Sequence, residues 1–326
     1  MKKFNGKNST WCVTDGSAGM INQVMGLANA MQTRFELKAV DLKFPWNTLP
    51  VGLLPISKGI FKNLNLFNIS NPPKYLISCG RKSVYLSLYL KRKLGNKIFT
   101  IHIQNPKVNS KKFDLVVVPK HDNLKGANVI NTYLAINHIN QGIIESNVQK
   151  FKEDFRNIEQ PICTVLVGGK SNNYLFDQTA VQNLSDKLQK ILNENNIKLV
   201  IIFSRRTNQF IINHLIEKFG NSHIVWTDKR NPYVALLGLS KFIICTSDSV
   251  SMISEAIYSK KSVFIFRLNS EKKNNRIENF NNELLSKGYA KLVPDYLEEF
   301  SHNYKNETEE VAKKIYQIYT DRNDVN

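Results

Sequence analysis

The sequence predicts an α/β protein built from two Rossmann-like domains facing across a cleft. Short apolar runs alternate with amphipathic stretches along the whole chain, the pattern of parallel strands joined by helical crossovers. Its 326 residues are enough for two ordinary cores. The rhythm also restarts after a charged helical interruption, "NQGIIESNVQKFKEDF" at 140–155, and the connector "NIEQP".

In the first half the strands fall at 11–14 ("WCVT"), 37–42, 74–78, 97–103, 113–119 and 128–132, with helices at 20–33 and 82–94. The second half places strands at 162–169, 197–204, 223–226, 241–246 and 261–266, again with helices between. These runs are apolar without alternation because parallel strands are covered on both faces. The tail "NETEEVAKKIYQIYTDRN" is a helix with acids at its start and bases at its end, as the helix dipole favours. The expected organisation is a basic domain at 1–139, a connector at 140–160, and a second domain at 161–326 that includes the tail helix.

Hydrophobic residues make up 42% and charged residues 22%, a balance that excludes a disordered chain. Lys241 interrupts the longest apolar run, so no spanning helix is expected. "MKKFNGKNSTWCVTDG" has no apolar stretch behind its lysines, so a secretory signal is not expected either. Cys12, Cys79, Cys163 and Cys245 are far apart without metal-ligand spacing, which predicts a reducing, cytoplasmic setting with neither disulfide nor zinc.

The net charge is +18, and residues 1–130 hold 20 Lys and Arg against 5 Asp and Glu. A lysine-rich compositional bias would affect both halves, so the asymmetry predicts an anionic partner for the first domain. That partner is an anionic membrane surface, on whose inner face the protein would sit peripherally, or a lipid-linked acceptor. The stretch "PVGLLPISKGIFKNLNLF" and the helix at 82–94 are the candidate contacts. Nucleic acid would suit the charge, but no recognition module appears, so it ranks last.

Ligands of open α/β sheets bind beyond the carboxyl ends of strands, and four such turns are unusual. In "VTDGSAGMINQVMG", Gly16 and Gly19 permit a tight turn before a helix start. Asn22 replaces the third glycine of a dinucleotide fingerprint, with Asp41 at the distance of a ribose contact. Asp15 is either a general base or a helix cap. In "VVVPKHDNLKG" a buried strand opens on His121, a second candidate base or simply a polar loop residue. The third turn pairs "VGGKS" with "SRRT": Gly168 and Gly169 admit a ligand to the backbone. Ser204, Arg205, Arg206 and Thr207 end the next strand, where paired guanidinium groups suit a phosphate.

The fourth turn, "FIICTSDSVSMISEA" at 242–256, carries the most polar groups. Capping accounts for one or two polar residues, and here Thr246, Ser247, Asp248, Ser249, Ser251, Ser254 and Glu255 crowd together. A helix starting near Ser249 offers amides to a diphosphate, and Glu255 shares a face with Ser251, where it can receive ribose hydroxyls. Asp248 is discordant beside a phosphate unless a cation intervenes, and fits as an N-cap. Tyr89 and Lys93 have the spacing of a short-chain dehydrogenase pair, but in a lysine-rich helix that spacing is best ascribed to chance. No D-x-D metal motif, P-loop or nucleophile elbow is present.

The stretches "DGSAGMINQVMGLANAM", "HIQNPKVNSKKFDLVVVPKHD", "VGGKS", "SRRT" and "TSDSVSMISEA" resemble the plant mitochondrial-fission (elongated-mitochondria) family. They also resemble its bacterial relatives, often labelled nucleoside-diphosphate-sugar epimerases. The resemblance implies a glycosyltransferase-B-like fold. The last stretch also looks like the donor-binding segment of the lipid-linked N-acetylglucosaminyltransferase of peptidoglycan synthesis. That likeness implies Glu255 as ribose ligand, Ser247, Ser249 and Ser251 around the diphosphate, and an acceptor-side loop of Asp15, Gly16, Ser17, Gly19, Asn22 and Gln23. The register is one residue longer here, and Asp248 stands where that enzyme has a small residue.

These signals together predict a metal-independent glycosyltransferase-like protein, with a nucleotide-sugar as donor substrate and no further cofactor. Arg205, Arg206 and the helix at 249 would neutralise the leaving diphosphate. A non-catalytic membrane adaptor of the same family is the alternative. An NAD(P)-using epimerase is the third, against which we set the broken glycine fingerprint and the two nucleotide-fold halves, since such an epimerase needs one dinucleotide domain.

Overall fold

The structure, a computed structural model, describes residues 9–169, 173–270 and 276–324. It divides into two compact units. The first runs to His138 and takes in the segment from Asn306, and the second is Ile139–Lys305.

The first unit orders its elements as β1 (Ser9–Thr14), α1 (Ala18–Ala30), β2 (Arg34–Ala39), β3 (Tyr75–Cys79), α2 (Arg81–Leu94), β4 (Phe99–Ile103), β5 (Leu115–Pro119) and β6 (Val129–Thr132). All six strands are parallel in the order β2-β1-β3-β4-β5-β6. Successive side chains of a strand point to opposite faces. Cys12, Ile77, Ile101 and Val117 therefore share one core with α1, while Trp11, Leu76, Val116 and Val118 share another with α2. Tyr89 is buried against the Phe61 ring, an ordinary core position. The expected strand at 37–42 begins three residues earlier as an exposed edge. Val40 and Leu42 instead turn inward, where Leu42 bridges Phe61.

The second unit comprises α3 (Gln141–Lys150), α4 (Lys152–Phe155), β7 (Ile162–Val167), α5 (Gln178–Glu194), β8 (Lys198–Phe203), α6 (Gln209–Phe219) and β9 (Ile224–Val225). It continues with α7 (Tyr233–Leu239), β10 (Phe242–Thr246), α8 (Val250–Tyr258), β11 (Ser262–Phe266), α9 (Arg276–Ser286) and β12 (Lys291–Leu292). This sheet is also parallel, in the order β12-β11-β10-β7-β8-β9. The expected connector is part of this unit, because α3 lies directly on α7. A Cβ on Gly238 would meet Ile144 and Val148 at 2.5 and 2.7 Å, so the helices approach this closely only over a glycine.

The tail helix, α10 (Glu307–Asp324), packs on the first unit rather than on the second as expected. Its Val311, Ala312 and Ile315 complete the core over α1. Its first residue fixes the junction: the Glu307 carboxylate accepts from the amides of Tyr133 and Leu134, both at 2.8 Å. Glu307→Ala strands those amides and should cost about 1–3 kcal/mol. That loss should appear as a lower urea midpoint for the first unit alone, and an unchanged midpoint would refute the anchoring role.

Candidate functional site

In the second sheet the chain moves outward from β7 through β8 and β9, then returns to β10 on the other side of β7. The switch point lies between β7 and β10, the usual ligand crevice of such sheets. The residues at that edge are Gly168 and Gly169 after β7, Ser204–Thr207 after β8, and Thr246–Ser249 after β10.

Asp248 organises this edge. Its buried carboxylate accepts from the Thr246 hydroxyl at 2.6 Å and the Gly169 amide at 3.1 Å, and meets the Arg206 guanidinium at 3.4 Å. A Cβ on Gly168 would overlap that carboxylate, and one on Gly169 would overlap the backbone of Arg206 and Thr207. The double glycine thus makes room for the protein's own groups. Thr207 ties the second strand end to the first, its hydroxyl donating to the Gly168 carbonyl at 2.6 Å and contacting Ser204 at 3.1 Å. Of "VGGKS", Lys170 and Ser171 lie outside the described residues.

Asp248 is therefore not the N-cap. Ser249 is, its hydroxyl accepting from the Met252 amide at 3.4 Å. Ser247 is buried, with its hydroxyl accepting from the Leu268 amide at 3.0 Å. Ser254 is buried within α8, whereas Ser251 is half-exposed one turn before Glu255. Arg205 is exposed, and Arg206 keeps 48% of its side chain in solvent while touching Asp248.

Glu255 has a partner that the sequence did not reveal. The Tyr233 hydroxyl donates to its Oε2 at 2.6 Å. Burial, and then the adjacent carboxylate, push the Tyr233 phenol well above its usual range, so it remains a donor. Just before Tyr233, Asn231 and Pro232 line a depression of about 440 Å³ at the ends of β8 and β9, together with Phe203, Gln209 and Trp226. The Trp226 indole donates to the Arg230 carbonyl at 2.7 Å, which fixes the ring. One edge of one sheet thus carries an aromatic depression, a Tyr–Glu pair, a helix N-terminus and two arginines. The Asn-Pro turn before an apolar helix was the available sequence signal for Tyr233.

In the first unit Asp15 is exposed, and its carboxylate accepts from the Ser17 amide at 3.0 Å. Gly16 has a φ of +92°, which favours glycine. Ser17 precedes α1 without a side-chain cap bond, and Gly19 is exposed in the first turn. Asn22 is half-buried. Gln23 is buried, its carbonyl oxygen accepting from the Cys79 thiol at 3.7 Å and from Gln104 at 3.4 Å. His121 lies half-buried on the turn after β5. Since β3 and β4 separate β1 from β5, Asp15 and His121 stand roughly 14 Å apart at strand spacing and cannot share one proton. Asp41 is held by Lys62 at 3.1 Å and Lys82 at 3.3 Å, and Lys62 chiefly lowers its pKa. It is committed to these lysines rather than presented to a ribose.

The sequence matches the mitochondrial fission ELM1 family over residues 18–319. The chain belongs to that family. An uncharacterized protein of Rickettsia prowazekii (strain Madrid E) is 27% identical to this ELM1-family chain over 347 aligned positions, spanning 94% of this chain and 97% of that one. The mitochondrial fission protein ELM1 of Arabidopsis thaliana is 23% identical over 287 positions, 79% of this chain and 66% of the plant protein. In fold, the chain is similar to the UDP-GlcNAc 2-epimerase of Neisseria meningitidis solved with UDP-GlcNAc, with a TM-score of 0.53 and 14% identity across 95% of this chain and 91% of that one. The UDP-GlcNAc 2-epimerase of Methanocaldococcus jannaschii gives 0.54 and 14%, across 94% and 92%. The fold is therefore two Rossmann-like domains of the glycosyltransferase-B type. These matches correct one expectation: an epimerase can have two nucleotide-fold halves, so domain count does not argue against that activity.

Proposed function

We propose that the second domain binds a nucleotide-sugar. The depression around Phe203 and Trp226 receives the base, Glu255 and Tyr233 the ribose, and the start of α8 with Arg205 and Arg206 the diphosphate. The observation that carries this is the Tyr233–Glu255 bond linking an aromatic depression to a polar helix start along one strand edge. The buried Thr246, Ser247, Asp248 and Ser249 shape that edge, leaving Ser251, the amides at the start of α8 and the two arginines to meet ligand. In the transfer we propose, an acceptor hydroxyl attacks the sugar's anomeric carbon and its bond to the diphosphate breaks, with the electron pair leaving on phosphate oxygen. Asp15 takes the hydroxyl proton, and the basic first domain suits a membrane-associated or anionic acceptor.

The test is a thermal shift of the protein and its Glu255→Ala variant against UDP, UDP-GlcNAc, CMP-sugars and NADPH. A ligand at 100 times its Kd adds about 2.7 kcal/mol, or roughly 5–11 °C for domains of this size. UDP or its sugar should shift the wild type and not the variant. Arg206→Ala should weaken UDP binding roughly 10–150-fold, the worth of one charge-assisted hydrogen bond. If no nucleotide shifts either protein, the adaptor alternative leads, which the family match favours. If UDP-GlcNAc incubated without any acceptor is converted to its epimer, the epimerase alternative, favoured by the fold matches, replaces sugar transfer.

A further inference from the structure

Residues 40–73 leave the first sheet between β2 and β3 and fold over α2. Among the described residues, the two most exposed large hydrophobic side chains of the protein are here: Phe44 at 77% and Leu53 at 65%. They are not products of a loose loop. The Arg81 guanidinium donates to the carbonyls of Trp46 at 3.1 Å and Leu49 at 2.6 Å, and also to that of Asn47. The Tyr85 hydroxyl donates to the Pro50 carbonyl at 3.2 Å and Arg92 to that of Ile56 at 2.5 Å. Several of the excursion's other apolar residues, among them Val51, Ile60 and Phe61, are packed into the core beneath it, while Leu66 is 53% exposed. A segment that buries those side chains and pins its backbone to α2, yet leaves Phe44 and Leu53 in water, presents them to a partner.

The two tips belong to one surface. The Trp46 indole donates to the Pro55 carbonyl at 3.0 Å, and the Lys43 amide to that of Ile60 at 2.8 Å. The turn that carries Phe44 is therefore tied to the segment that follows Leu53. The surrounding charge is predominantly positive, and the excursion's one acid, Asp41, is paired with Lys62 and Lys82. Between Asp41 and Asp114 the sequence contains thirteen Lys and Arg and no acid, with Lys43, next to Phe44 in the chain, and Lys58 both exposed.

We propose that this excursion docks on an anionic lipid bilayer, with Phe44 and Leu53 entering the interface and the flanking lysines on lipid phosphates. Separate apolar tips on a lysine- and arginine-rich segment suit a fluid, negatively charged partner that moulds around each one. A protein partner would be met better by a continuous groove. The half-buried Trp46, two residues from Phe44 with its N–H already satisfied, is the kind of aromatic that favours a bilayer interface. This deepens the anionic-acceptor half of the proposed function and stands without its nucleotide half.

The full chain is sedimented, without nucleotide, with vesicles of phosphatidylcholine alone and of phosphatidylcholine with one-third phosphatidylglycerol. We expect binding to the anionic vesicles only, with a blue shift of Trp46 emission that Trp46→Phe removes. The double variant Phe44→Ser/Leu53→Ser should bind at least about ten-fold more weakly, and Leu292→Ser, an exposed hydrophobic of the second unit, should bind as wild type. The double variant's melting temperature should be unchanged, because both side chains are exposed. Equal binding to neutral vesicles, no vesicle binding, or undiminished binding by the double variant would each overturn the proposal. So would DNA binding that outcompetes anionic vesicles. A negative result with UDP leaves the docking surface intact, and failure of vesicle binding leaves the nucleotide site intact.

Discussion

Gly168→Ala should lower the melting temperature of the second unit by roughly 2–12 °C and abolish any stabilisation by UDP. The reason is local crowding. Gly168 follows β7, whose register is fixed by β8 on one side and β10 on the other. Its amide donates to Thr246 at 2.8 Å and its carbonyl accepts from Thr207 at 2.6 Å, so the backbone is held from both neighbours. An added Cβ would overlap the Asp248 carboxylate, and that carboxylate cannot retreat without releasing Thr246 and Gly169. Overpacking of this kind costs about 1–3 kcal/mol, and each kcal/mol is worth about 2–4 °C in a domain of this size. Gly142→Ala is the control, since its Cβ meets only Asn140 Oδ1 at 3.6 Å, and alanine suits the first turn of α3. If both variants melt as wild type, the second-sheet edge is not packed as described.

The fold was legible because its signals are local and repeated. Runs such as "ICTVLV" and "FIICT" can be little else than strands covered on both faces, and their crossovers leave few topologies. What escaped were features set by distant partners. The edge strand β2 slid to 34–39 because the apolar residues after it found Phe61, nineteen positions beyond Leu42. The tail helix joined the first unit because Glu307 binds amides 173 and 174 positions away, a pairing no window of sequence contains. In the candidate site, the position of "TSDSVSMISEA" at a switch point was readable, but the direction of each side chain was not. Burial sorts that run: Thr246, Ser247 and Asp248 face inward, Ser249 caps the helix and Glu255 turns to Tyr233. Tyr233 was missed because a tyrosine at a helix start carries no sign of its partner 22 residues later.

Asp248 should be the residue whose loss most damages the second unit. Asp248→Ala leaves the Thr246 hydroxyl and the Gly169 amide buried without their acceptor, at about 1–3 kcal/mol for each stranded group. Asp248→Asn keeps an oxygen for Gly169 and should recover part of that loss. The two acidic forms of the wild type also differ. Burial raises the Asp248 pKa above its ordinary 3.8, outweighing the bonds from Thr246 and Gly169 and the nearby Arg206 that lower it. The folded state then holds this proton more tightly than the unfolded chain. Its contribution to stability is largest below 3.8 and is lost as pH rises through the raised value. Urea midpoints of wild type and Asp248→Asn should therefore converge or cross in favour of wild type as the pH falls through that window. A difference that stays flat, or moves against wild type on acidification, would mean that the folded state does not hold this proton more tightly than the unfolded chain. The Arg206 guanidinium stands beside this carboxylate at 3.4 Å. Arg206 is only half covered by that contact, so the same guanidinium can hold Asp248 from one side and a ligand's phosphate from the other.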